Sequence, residues 1–300
     1  GIDTGKYWPP KRIDDPQFWD DVTDKITAIY TPQGGYISDP MQTAVNLADA
    51  SKRHGAVFKQ NTEVVEILKT DGKISGVKTD KGEIFSTSIL INVAGPWSAK
   101  VNKLAGAGKD FTITNRPLRQ EVHHVNWGKP TVAKPIFGDI DLGVYHRPDG
   151  ANGLYVGGTE PECDELEWVD DVDAAKMTPT MEIFEAQITR TARRFPDLPV
   201  PNSASGIVGI YDASSDWAPI YDKSDVPGFY VAIGTSGNQF KNTPVVGKIM
   251  SQIIDANESG IDTDLNPIQF FGEHTGLSID TAIFSRKRQK NPNSSGIVMG

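Results

Sequence analysis

The sequence of 300 residues contains a single cysteine, Cys163, so it excludes both an internal disulfide and a zinc site made of several thiolates. No apolar run approaches the ~18 residues that a membrane-spanning helix needs. Lysine and arginine total 30 against 39 acidic residues, and the net charge of −9 argues against nucleic acid as a partner. These absences favour a soluble protein in a reducing compartment, and we therefore expect a cytoplasmic location.

Motifs of several enzyme classes are also missing. In GTSGN, residues 234–238, the second glycine comes one residue too early for a nucleophile elbow. GAGKD, residues 106–110, follows a predicted helix rather than a strand, so it is not a dinucleotide-binding motif. His123 and His124 are adjacent, and on a strand their side chains would point to opposite faces and could not share a metal ion. We therefore predict no metal site.

Two segments are typical of a buried strand that ends in glycine and continues into a helix. SILINVAGPWS, residues 88–98, is an apolar run that ends at Gly95, and GFYVAIGTSGNQFKNTPVVGKIM, residues 228–250, has the same order. In the second segment Pro244 suits a first helical turn and predicts a helix over 242–254. The N-terminus of such a helix favours a bound anion, although a turn needed only for packing is an alternative.

The rest of the chain predicts helices and strands in alternation. Residues 38–55 have an N-cap serine or aspartate, a proline at the first helical position and a glycine past the end, which predicts a helix. Residues 62–68 and 73–85 predict a strand and a hairpin, and 178–195 predict a long amphipathic helix. The sequence therefore predicts an α/β (α+β) fold with a parallel-sheet part and a mixed, largely antiparallel part.

INVAGPWS, residues 91–98, resembles the N-A-A-G-x-W-S segment of the D-amino-acid oxidase-like FAD-dependent oxidoreductases, which include glycine oxidase, sarcosine oxidase and dimethylglycine dehydrogenase. Residues 228–250 resemble the G-L-Y-V-A-x-G-F-S-G-H-G-F-K-x-x-P-x-V-G segment of the same family. GGYISDPMQTAVNLADASKRHGA, NTEVVEI with GVKTDKGE, and SSDWAPIYDKSDVPG follow in the order of the family. The resemblance spreads over about residues 30–255.

The family opens with a strand–G-x-G-x-x-G–helix motif that holds the FAD pyrophosphate, and these 300 residues contain no counterpart of it. The resemblance therefore implies a fragment, with the remnant of an FAD-binding parallel-sheet domain and a largely antiparallel substrate domain. The domains expected are a loop-rich segment over 1–36, a partial FAD-binding domain over 37–105 and 228–260, a substrate-binding domain over 106–227, and a C-terminal tail over 261–300.

By this resemblance the turn 234–241 would pass beside the pyrimidine edge of the flavin. The helix N-terminus that follows would stabilise negative charge on the reduced ring. The residues expected to contact FAD are Val64, Ala94, Gly95, Trp97, Gly209, Gly234, Ser236, Gly237, Asn238, Gln239 and Phe240. Gly209 stands where some members of the family have a flavin-linking cysteine, so non-covalent FAD is expected. The family often has His-Gly where this chain has Asn238-Gln239.

The residues expected on the substrate side are Lys241, Tyr145, Arg147 and Tyr211. Lys241 aligns with a lysine that helps to bind the substrate carboxylate in sarcosine oxidases, and a solvated lysine is the alternative. Tyr211 stands where glycine oxidases have a carboxylate-binding arginine, which weakens the assignment of an amino-acid substrate. Tyr155 occupies the place of an oxygen-activating lysine, which favours a dehydrogenase over an oxidase.

The resemblance implies an FAD-dependent oxidoreductase that oxidises the C–N bond of a small-molecule amine or amino acid by hydride transfer. Because the phosphate-binding motif is missing, the chain alone is expected to be inactive and to lack FAD. Two alternatives stay open: a non-catalytic interaction module or subunit that needs a partner chain to bind FAD, and the same fold acting on a hydroxy acid or a polyol phosphate. A homo-oligomer is compatible with either.

Overall fold

The structure is a computed structural model that describes residues 9–20, 26–131, 135–292, 294 and 296–298. Contacts divide the chain into two compact units. The first comprises Gly1–Thr62, Glu121–Asp164 and Pro179–Gly206, and the second comprises Glu63–Gln120, Glu165–Thr178 and Ile207–Gly300. The predicted domain boundaries group the segments differently and stay a prediction. Residues 1–8 and 21–25 of the predicted loop-rich segment lie outside the described residues.

Helices and strands are mixed along the described chain, which confirms the predicted α/β (α+β) class. The helices are α1 (Pro40–Arg53), α2 (Ser98–Ala105), α3 (Met181–Arg194) and α4 (Thr243–Glu258). The strands are β1 (Val64–Thr70), β2 (Lys73–Thr79), β3 (Ile84–Ser86), β4 (Leu90–Asn92), β5 (Asn115–Asn126), β6 (Phe137–Asp139), β7 (Val144–Asp149), β8 (Gly153–Gly158), β9 (Glu167–Trp168), β10 (Gly206–Ser214), β11 (Ile220–Lys223), β12 (Phe229–Ile233), β13 (Gln269–Gly272) and β14 (Leu277–Asp280). None of the helices in the described ranges is both long and apolar enough to cross a membrane.

The helices begin where local sequence signals predict. α1 follows the N-cap Asp39, whose carboxylate accepts a hydrogen bond from the N–H of Gln42 at 2.8 Å. α4 starts at Thr243 with Pro244 in its first turn, as predicted, and it continues past the predicted end at 254. The cap and the proline act locally, so these starts do not depend on the tertiary fold.

In the first unit, α3 packs on antiparallel strands. β8 pairs with both β5 and β7, and β7 also pairs with β6, all antiparallel. Within this unit the strand order is β5-β8-β7-β6. Phe184 and Ile188 of α3 are fully buried in a core with Val144 and Val156. The largely antiparallel character predicted for the middle of the chain is confirmed.

The adjacent histidines of β5 have different surroundings, as their alternation along the strand predicts. His123 is fully buried, with its ring nitrogens 2.9 Å from Glu121 Oε2 and 2.8 Å from the side-chain amide of Gln187. His124 Nε2 lies 3.2 Å from Asp149 Oδ2. Within the described ranges, no group of three or more His, Cys, Asp or Glu residues is arranged to hold a metal ion.

The second unit contains two three-stranded sheets, ordered β1-β2-β3 and β11-β12-β4. In the latter, β12 runs antiparallel to β11 and parallel to β4. The side chains of Phe229, Val231 and Ile233 are fully buried, which confirms β12 as a buried strand. β4 lies at the edge of its sheet, and Ile91 and the following Val93 are 40% and 68% exposed. Because parallel sheets are normally covered on both faces, this edge is unusually open within the described chain.

α1 is amphipathic but buries none of its side chains. Met41 is 75% exposed, and Val45 and Leu47 are also exposed. The predicted helix is therefore confirmed, whereas the described residues provide no cover for its apolar side. Helical periodicity states which face is apolar, but it does not say what packs on that face.

Arg286 connects the C-terminal part of the chain to the rest of the second unit through ion pairs. Its buried guanidinium lies 2.7 Å from Asp110, 3.0 Å from Asp222 and 2.8 Å from Asp264. Burial alone would raise the pKa of Asp264, but hydrogen bonds from Arg286 and Lys287 outweigh it and hold the pKa below the ordinary range. Residues 261–300, expected to form a tail, thus contribute β13, β14 and this ion-pair network to the unit.

We predict that Arg286→Met lowers the free energy of unfolding at pH 7 by about 3–5 kcal/mol, because it leaves carboxylates buried without their partner. Urea unfolding followed by circular dichroism measures the change. The control is Lys287→Met, which removes an exposed cation from two of the same carboxylates and should cost about 1 kcal/mol or less. Equal losses in the two variants would contradict the assigned role.

Candidate functional site

The parallel pairing of β4 with β12 brings together the ends of the two predicted strand–turn–helix segments. Asn92, the last residue of β4, lies opposite Val231 of β12. Parallel strands end at the same edge of a sheet, so the turns 93–97 and 234–240 leave the sheet as neighbours. Ligands of open α/β sheets bind in the crevice outside such carboxyl ends. We call this edge, with its two turns, the strand-end site.

Asn92 shapes the turn after β4. Its side-chain oxygen accepts a hydrogen bond from the N–H of Ala94 at 3.0 Å, and its amide donates to Ser98 O at 2.9 Å and Asn102 Oδ1 at 2.8 Å. Gly95 then takes a positive φ of 53° and opens the 3-10 turn that leads into α2. A single buried amide therefore sets the exit of β4 and the start of α2.

The turn after β12 has three residues in the left-handed region: Gly234, Ser236 and Gly237, with φ of 71°, 48° and 72°. The N–H of Gly234 donates to Asp212 Oδ2 at 2.6 Å, and the N–H of Ser236 donates to the backbone oxygen of Asp212 at 2.8 Å. Ser236 Oγ accepts a bond from the N–H of Ser214 at 3.0 Å. A non-glycine residue rarely has positive φ, and these bonds to β10 hold Ser236 there.

Gly237 is required by contact as well as by conformation. A Cβ at this position would lie 2.3 Å from the ring of Tyr211, far inside van der Waals contact. The Tyr211 ring therefore packs directly on the backbone of the turn. The sequence expectation placed Tyr211 on the substrate side, and the structure shows that it supports the strand-end site from β10.

The Asn238 and Gln239 side chains are used within the protein. Asn238 Nδ2 donates to Trp217 O at 3.5 Å, and Gln239 Oε1 accepts bonds from Tyr221 at 3.1 Å and Asn242 at 2.5 Å. Gln239 Nε2 also donates to Asn238 Oδ1. These two side chains hold the turn, and the donors that it can present to a ligand are backbone N–H groups.

The two helices that leave the strand-end site start without a side-chain cap. Neither Trp97, the N-cap of α2, nor Asn242, the N-cap of α4, has a side-chain capping hydrogen bond. In contrast, α1 is capped by Asp39 and α3 by Thr180. The first N–H groups of α2 and α4 thus lack a side-chain acceptor, and both helix ends carry a positive dipole end.

Asp212 is the functional candidate that the sequence reasoning missed. It is 1% exposed, and its carboxylate accepts bonds from Asn115 Nδ2 at 2.6 Å and from Gly234 N–H at 2.6 Å. Burial raises the pKa of Asp212 to about 6, although the hydrogen bonds from Asn115 and Gly234 oppose that rise. The available signal was an acidic residue within GIVGIYDAS, an otherwise uncharged strand.

The other residues predicted to contact the cofactor lie in different environments. Val64 starts β1 and is partly buried, and Phe240 is exposed. Trp97 is also exposed, and its Nε1 donates to Asp173 at 3.0 Å. Gly209 lies on β10 with nothing within 4 Å of an added Cβ, so a larger side chain would fit there. The strand pairing thus unites residues 94–97 with 234–240 and does not include Val64 or Gly209.

Lys241 lies in the 3-10 turn just before α4 and is exposed. Its ammonium group forms no hydrogen bond or ion pair with the described residues. The structure therefore leaves Lys241 available to an anion without showing one, and its substrate role stays a prediction.

Tyr145 and Arg147 belong to the first unit, where they alternate with buried residues along β7. The Arg147 guanidinium lies 4.7 Å from the ring centre of Tyr155 and 5.2 Å from that of Tyr36. The ring of Tyr145 covers Gly157 on β8. Arg147 forms no ion pair with the described residues, so these side chains provide an aromatic surface around a cation without a paired carboxylate.

A cavity of about 460 Å³ lies in the second unit beside α2. Its wall includes Asn102 and Asn115, whose side chains bond to Asn92 and Asp212, and the cations Lys103 and Lys109. The cavity is thus connected to the strand-end site through two amide side chains.

A glycine turn and a helix N-terminus at neighbouring parallel strand ends are typical of α/β proteins that bind a cofactor at this edge of the sheet. The family model "FAD dependent oxidoreductase" (DAO) matches residues 4–253. The chain therefore belongs to the DAO family of FAD-dependent oxidoreductases, which confirms the resemblance found in the sequence.

Three curated relatives show the range of the family. The chain is 28% identical over 198 residues to mouse FAD-dependent oxidoreductase domain-containing protein 1, with 59% of this chain and 38% of that protein covered. It is 26% identical over 200 residues to the mouse mitochondrial pyruvate dehydrogenase phosphatase regulatory subunit, covering 63% and 21%. It is 25% identical over 235 residues to sarcosine oxidase subunit beta of Arthrobacter sp, covering 77% and 53%.

The fold is also found among solved structures. L-proline dehydrogenase from P. horikoshii matches with a TM-score of 0.63 at 20% identity, over 83% of this chain and 59% of that one. Glycine oxidase from Geobacillus kaustophilus matches with a TM-score of 0.54 at 20% identity, over 82% and 57%. In each of these comparisons the chain spans less than two thirds of the matched protein.

We predict that Gly237→Ala destabilises the protein by more than about 1 kcal/mol, because the added methyl group meets the Tyr211 ring and alanine disfavours positive φ. The matched control is Gly209→Ala, since β10 leaves open space at that position. Thermal unfolding of both variants is the measurement. If Gly237→Ala and Gly209→Ala unfold at the same temperature, the close packing of Tyr211 on the turn is refuted.

Proposed function

We propose that the chain is the substrate-side part of an FAD-dependent oxidoreductase that oxidises the C–N bond of a small amine or amino acid by hydride transfer. The observation that carries the proposal is the strand-end site, where two glycine turns lead into two helices without side-chain caps. Membership of the DAO family supports FAD as the cofactor. The relative described as sarcosine oxidase subunit beta supports an amine as the substrate.

The residues of the strand-end site fit a flavin ring. Gly95 has positive φ, and a Cβ there would meet nothing within 4 Å, so no side chain keeps a planar ring away from this backbone. Neither turn, 93–97 or 234–240, contains an acidic side chain. The backbone donors of both turns would hold the ring, and the positive end of α4 suits the negative charge of its reduced form.

Bound FAD supplies the hydride acceptor, and the chain supplies binding, orientation and electrostatics. The N–H groups of Thr235 and Gly237 and the positive end of α4 would stabilise developing negative charge because they are fixed before the reaction, whereas the N–H groups of Gly234 and Ser236 are bonded to Asp212. An amine that binds in its neutral form needs no separate general base. The residues of this chain therefore act by placing the substrate and excluding water.

Two cationic side chains, one in each unit, are separate candidates for contact with a carboxylate on the substrate. Arg147 in the first unit lies against Tyr36 and Tyr155, which restrict the guanidinium without neutralising it. Lys241 in the second unit is exposed directly before α4, where the positive end of the helix slightly disfavours a cation and an anion would offset this. Tyr145 provides a hydroxyl on the same strand as Arg147. Arg147 and Lys241 both suit an anionic amine such as an amino acid.

The proposed holoenzyme needs more polypeptide than these 300 residues, because they contain no strand–G-x-G-x-x-G–helix motif to hold the FAD pyrophosphate. We propose that this motif lies in another part of the same protein or in a partner chain. The fact that the chain spans 38% of one relative and 53% of another is compatible with either arrangement.

We predict that the purified 300-residue chain is colourless and retains little or no FAD, because the main phosphate contacts are missing. Absorbance near 450 nm and flavin release by acid measure this. The complete protein should bind FAD and release it with acid, since Gly209 cannot form a thioether. A stoichiometric flavin spectrum from the short chain would refute the need for further polypeptide.

In the complete enzyme, we predict that Lys241→Met raises KM for an anionic amine by about 10- to 100-fold, through loss of a charge-assisted bond worth ~1.5–3 kcal/mol. FAD content should be nearly unchanged. Lys248→Met is the matched control, because Lys248 is an exposed lysine on α4, the helix that follows Lys241. An unchanged KM in Lys241→Met, or an equal change in the control, would exclude the proposed contact.

The second candidate function is that of an interaction module completed by another chain. Two observations favour it: α1 leaves Met41, Val45 and Leu47 exposed, and β4 leaves Ile91 and Val93 exposed at a sheet edge. One relative is described as a regulatory subunit, which supports a non-catalytic role in the family. Reduction of bound flavin by an amine in the complete protein would favour the enzyme, and flavin binding without any substrate reduction would favour the module.

A further inference from the structure

Asp212 contacts three separate parts of the second unit. Its carboxylate accepts bonds from Asn115 at the start of β5 and from the N–H of Gly234, both at 2.6 Å. Its backbone oxygen accepts from Ser236 at 2.8 Å. Ser98, the first residue of α2, lies close enough for its hydroxyl to lower the pKa of Asp212, but its geometry falls short of a full hydrogen bond.

The neighbouring buried carboxylates of the same unit form ion pairs with arginines, whereas Asp212 does not. Asp216 lies 2.8 Å from Arg288, and Asp222 lies 3.0 Å from Arg286. Asp212 forms no ion pair with any residue in the described ranges. A buried carboxylate that is held only by neutral donors is costly when ionised, so its presence is not explained by stability.

Apart from Asn115 on β5, the groups around Asp212 belong to the segments that form the strand-end site. Gly234 and Ser236 are the turn after β12, and Ser98 starts α2 and accepts a bond from Asn92 at the end of β4. Asp212 therefore lies where the exits of both parallel strands are closest to β10.

We propose that Asp212 is a positioning residue that holds the 234–237 turn on β10 and beside the start of α2, and so sets the direction of the backbone donors in the strand-end site. The anchoring role stands on the described contacts alone. Its consequence for flavin rests on the proposed function.

The proposed role of Asp212 predicts that the hydrogen bond from Gly234 changes with pH. The ionised carboxylate accepts a stronger, charge-assisted bond from Gly234 than the protonated acid does. The pKa of Asp212 is raised from the ordinary value of 3.8 to about 6 in the folded protein. Because the folded state binds the proton more tightly, protonation of Asp212 stabilises the fold fully below the pKa of the unfolded chain. This stabilisation is lost as the pH rises through about 6. Between pH 5 and 7 the turn should therefore tighten while the whole unit becomes less stable.

The groups bonded to Asp212, on β5 and on the turn, are all uncharged. The titratable and charged residues on the elements packed against it are Arg116, Arg119, Glu121, His123 and His124 of β5, Lys100 and Lys103 of α2, and Lys241 after the turn. Within the described ranges, none of these side chains bonds to Asp212. The loss of a titration near pH 6 in Asp212→Asn is therefore the observation that assigns it to Asp212 rather than to a histidine of β5.

The experiment uses the ¹⁵N-labelled 300-residue chain and follows the amide resonances of Gly234 and Ser236 by NMR between pH 4.5 and 8. In the wild type we expect the Gly234 amide proton to move downfield with rising pH, with a midpoint near 6. Asp212→Asn should abolish this titration but keep amide protection within about threefold, because the side-chain oxygen still accepts. Asp212→Leu should lower the protection of Gly234 at least tenfold.

The matched control is Asp225→Asn, because Asp225 also accepts a glycine N–H, from Gly108 at 2.7 Å, on another loop of the unit. This variant should leave the Gly234 titration unchanged. A Gly234 amide that does not titrate, or that titrates equally in Asp212→Asn, would overturn the anchoring role. If Asp212→Leu does not fold, the comparison of wild type with Asp212→Asn still decides the question.

A second measurement separates anchoring from the proposed function. In the complete protein, FAD affinity should depend on pH near 6 in the wild type and not in Asp212→Asn. If the NMR titration is present and FAD binds with no such dependence, the flavin consequence is wrong. If the wild-type protein binds no FAD at all, the proposed function fails while the anchoring result stands.

Discussion

The parallel pairing of β4 with β12 is the constraint on which the rest of the site depends. Neighbouring parallel strands end at the same edge, so two turns that are about 140 residues apart in the sequence leave the sheet together. An antiparallel pairing would send those turns to opposite edges. The hydrogen bonds of Asn92 and Asp212, the positive φ of the glycines and the uncapped helix starts all act at the position that this pairing creates.

The buried carboxylates of the second unit have two kinds of partner. Arg286 and Arg288 neutralise buried carboxylates and connect the C-terminal part of the chain to its core. Asp212 has only neutral donors. The first arrangement stabilises the unit because a buried ion pair with further hydrogen bonds satisfies both partners, while the second holds a turn at some cost in stability. This contrast is the reason to assign function to Asp212 and structure to Asp222.

The exposed apolar residues of β4 and α1 lie on elements that normally pack against another part of a protein. A parallel strand at a sheet edge and an amphipathic helix without cover both expose groups that another element normally meets. β4 and α1 are such elements within the described residues. In the proposed holoenzyme, further polypeptide would cover these surfaces and hold the phosphates of FAD. The proposed interaction module would use them for a partner chain.

The sequence by itself determined the α/β class, the starts of α1 and α4, the buried strand β12 and the family. These features depend on local signals: N-cap residues, prolines in first turns, apolar runs, and motifs in a fixed order. Only the tertiary structure decided that β4 is an exposed edge, that Tyr211 packs on Gly237, that Arg286 collects three carboxylates, and that Asp212 lies under the glycine turn. Each of these is a contact between segments far apart in the sequence, and no periodicity or local propensity specifies which distant residues meet.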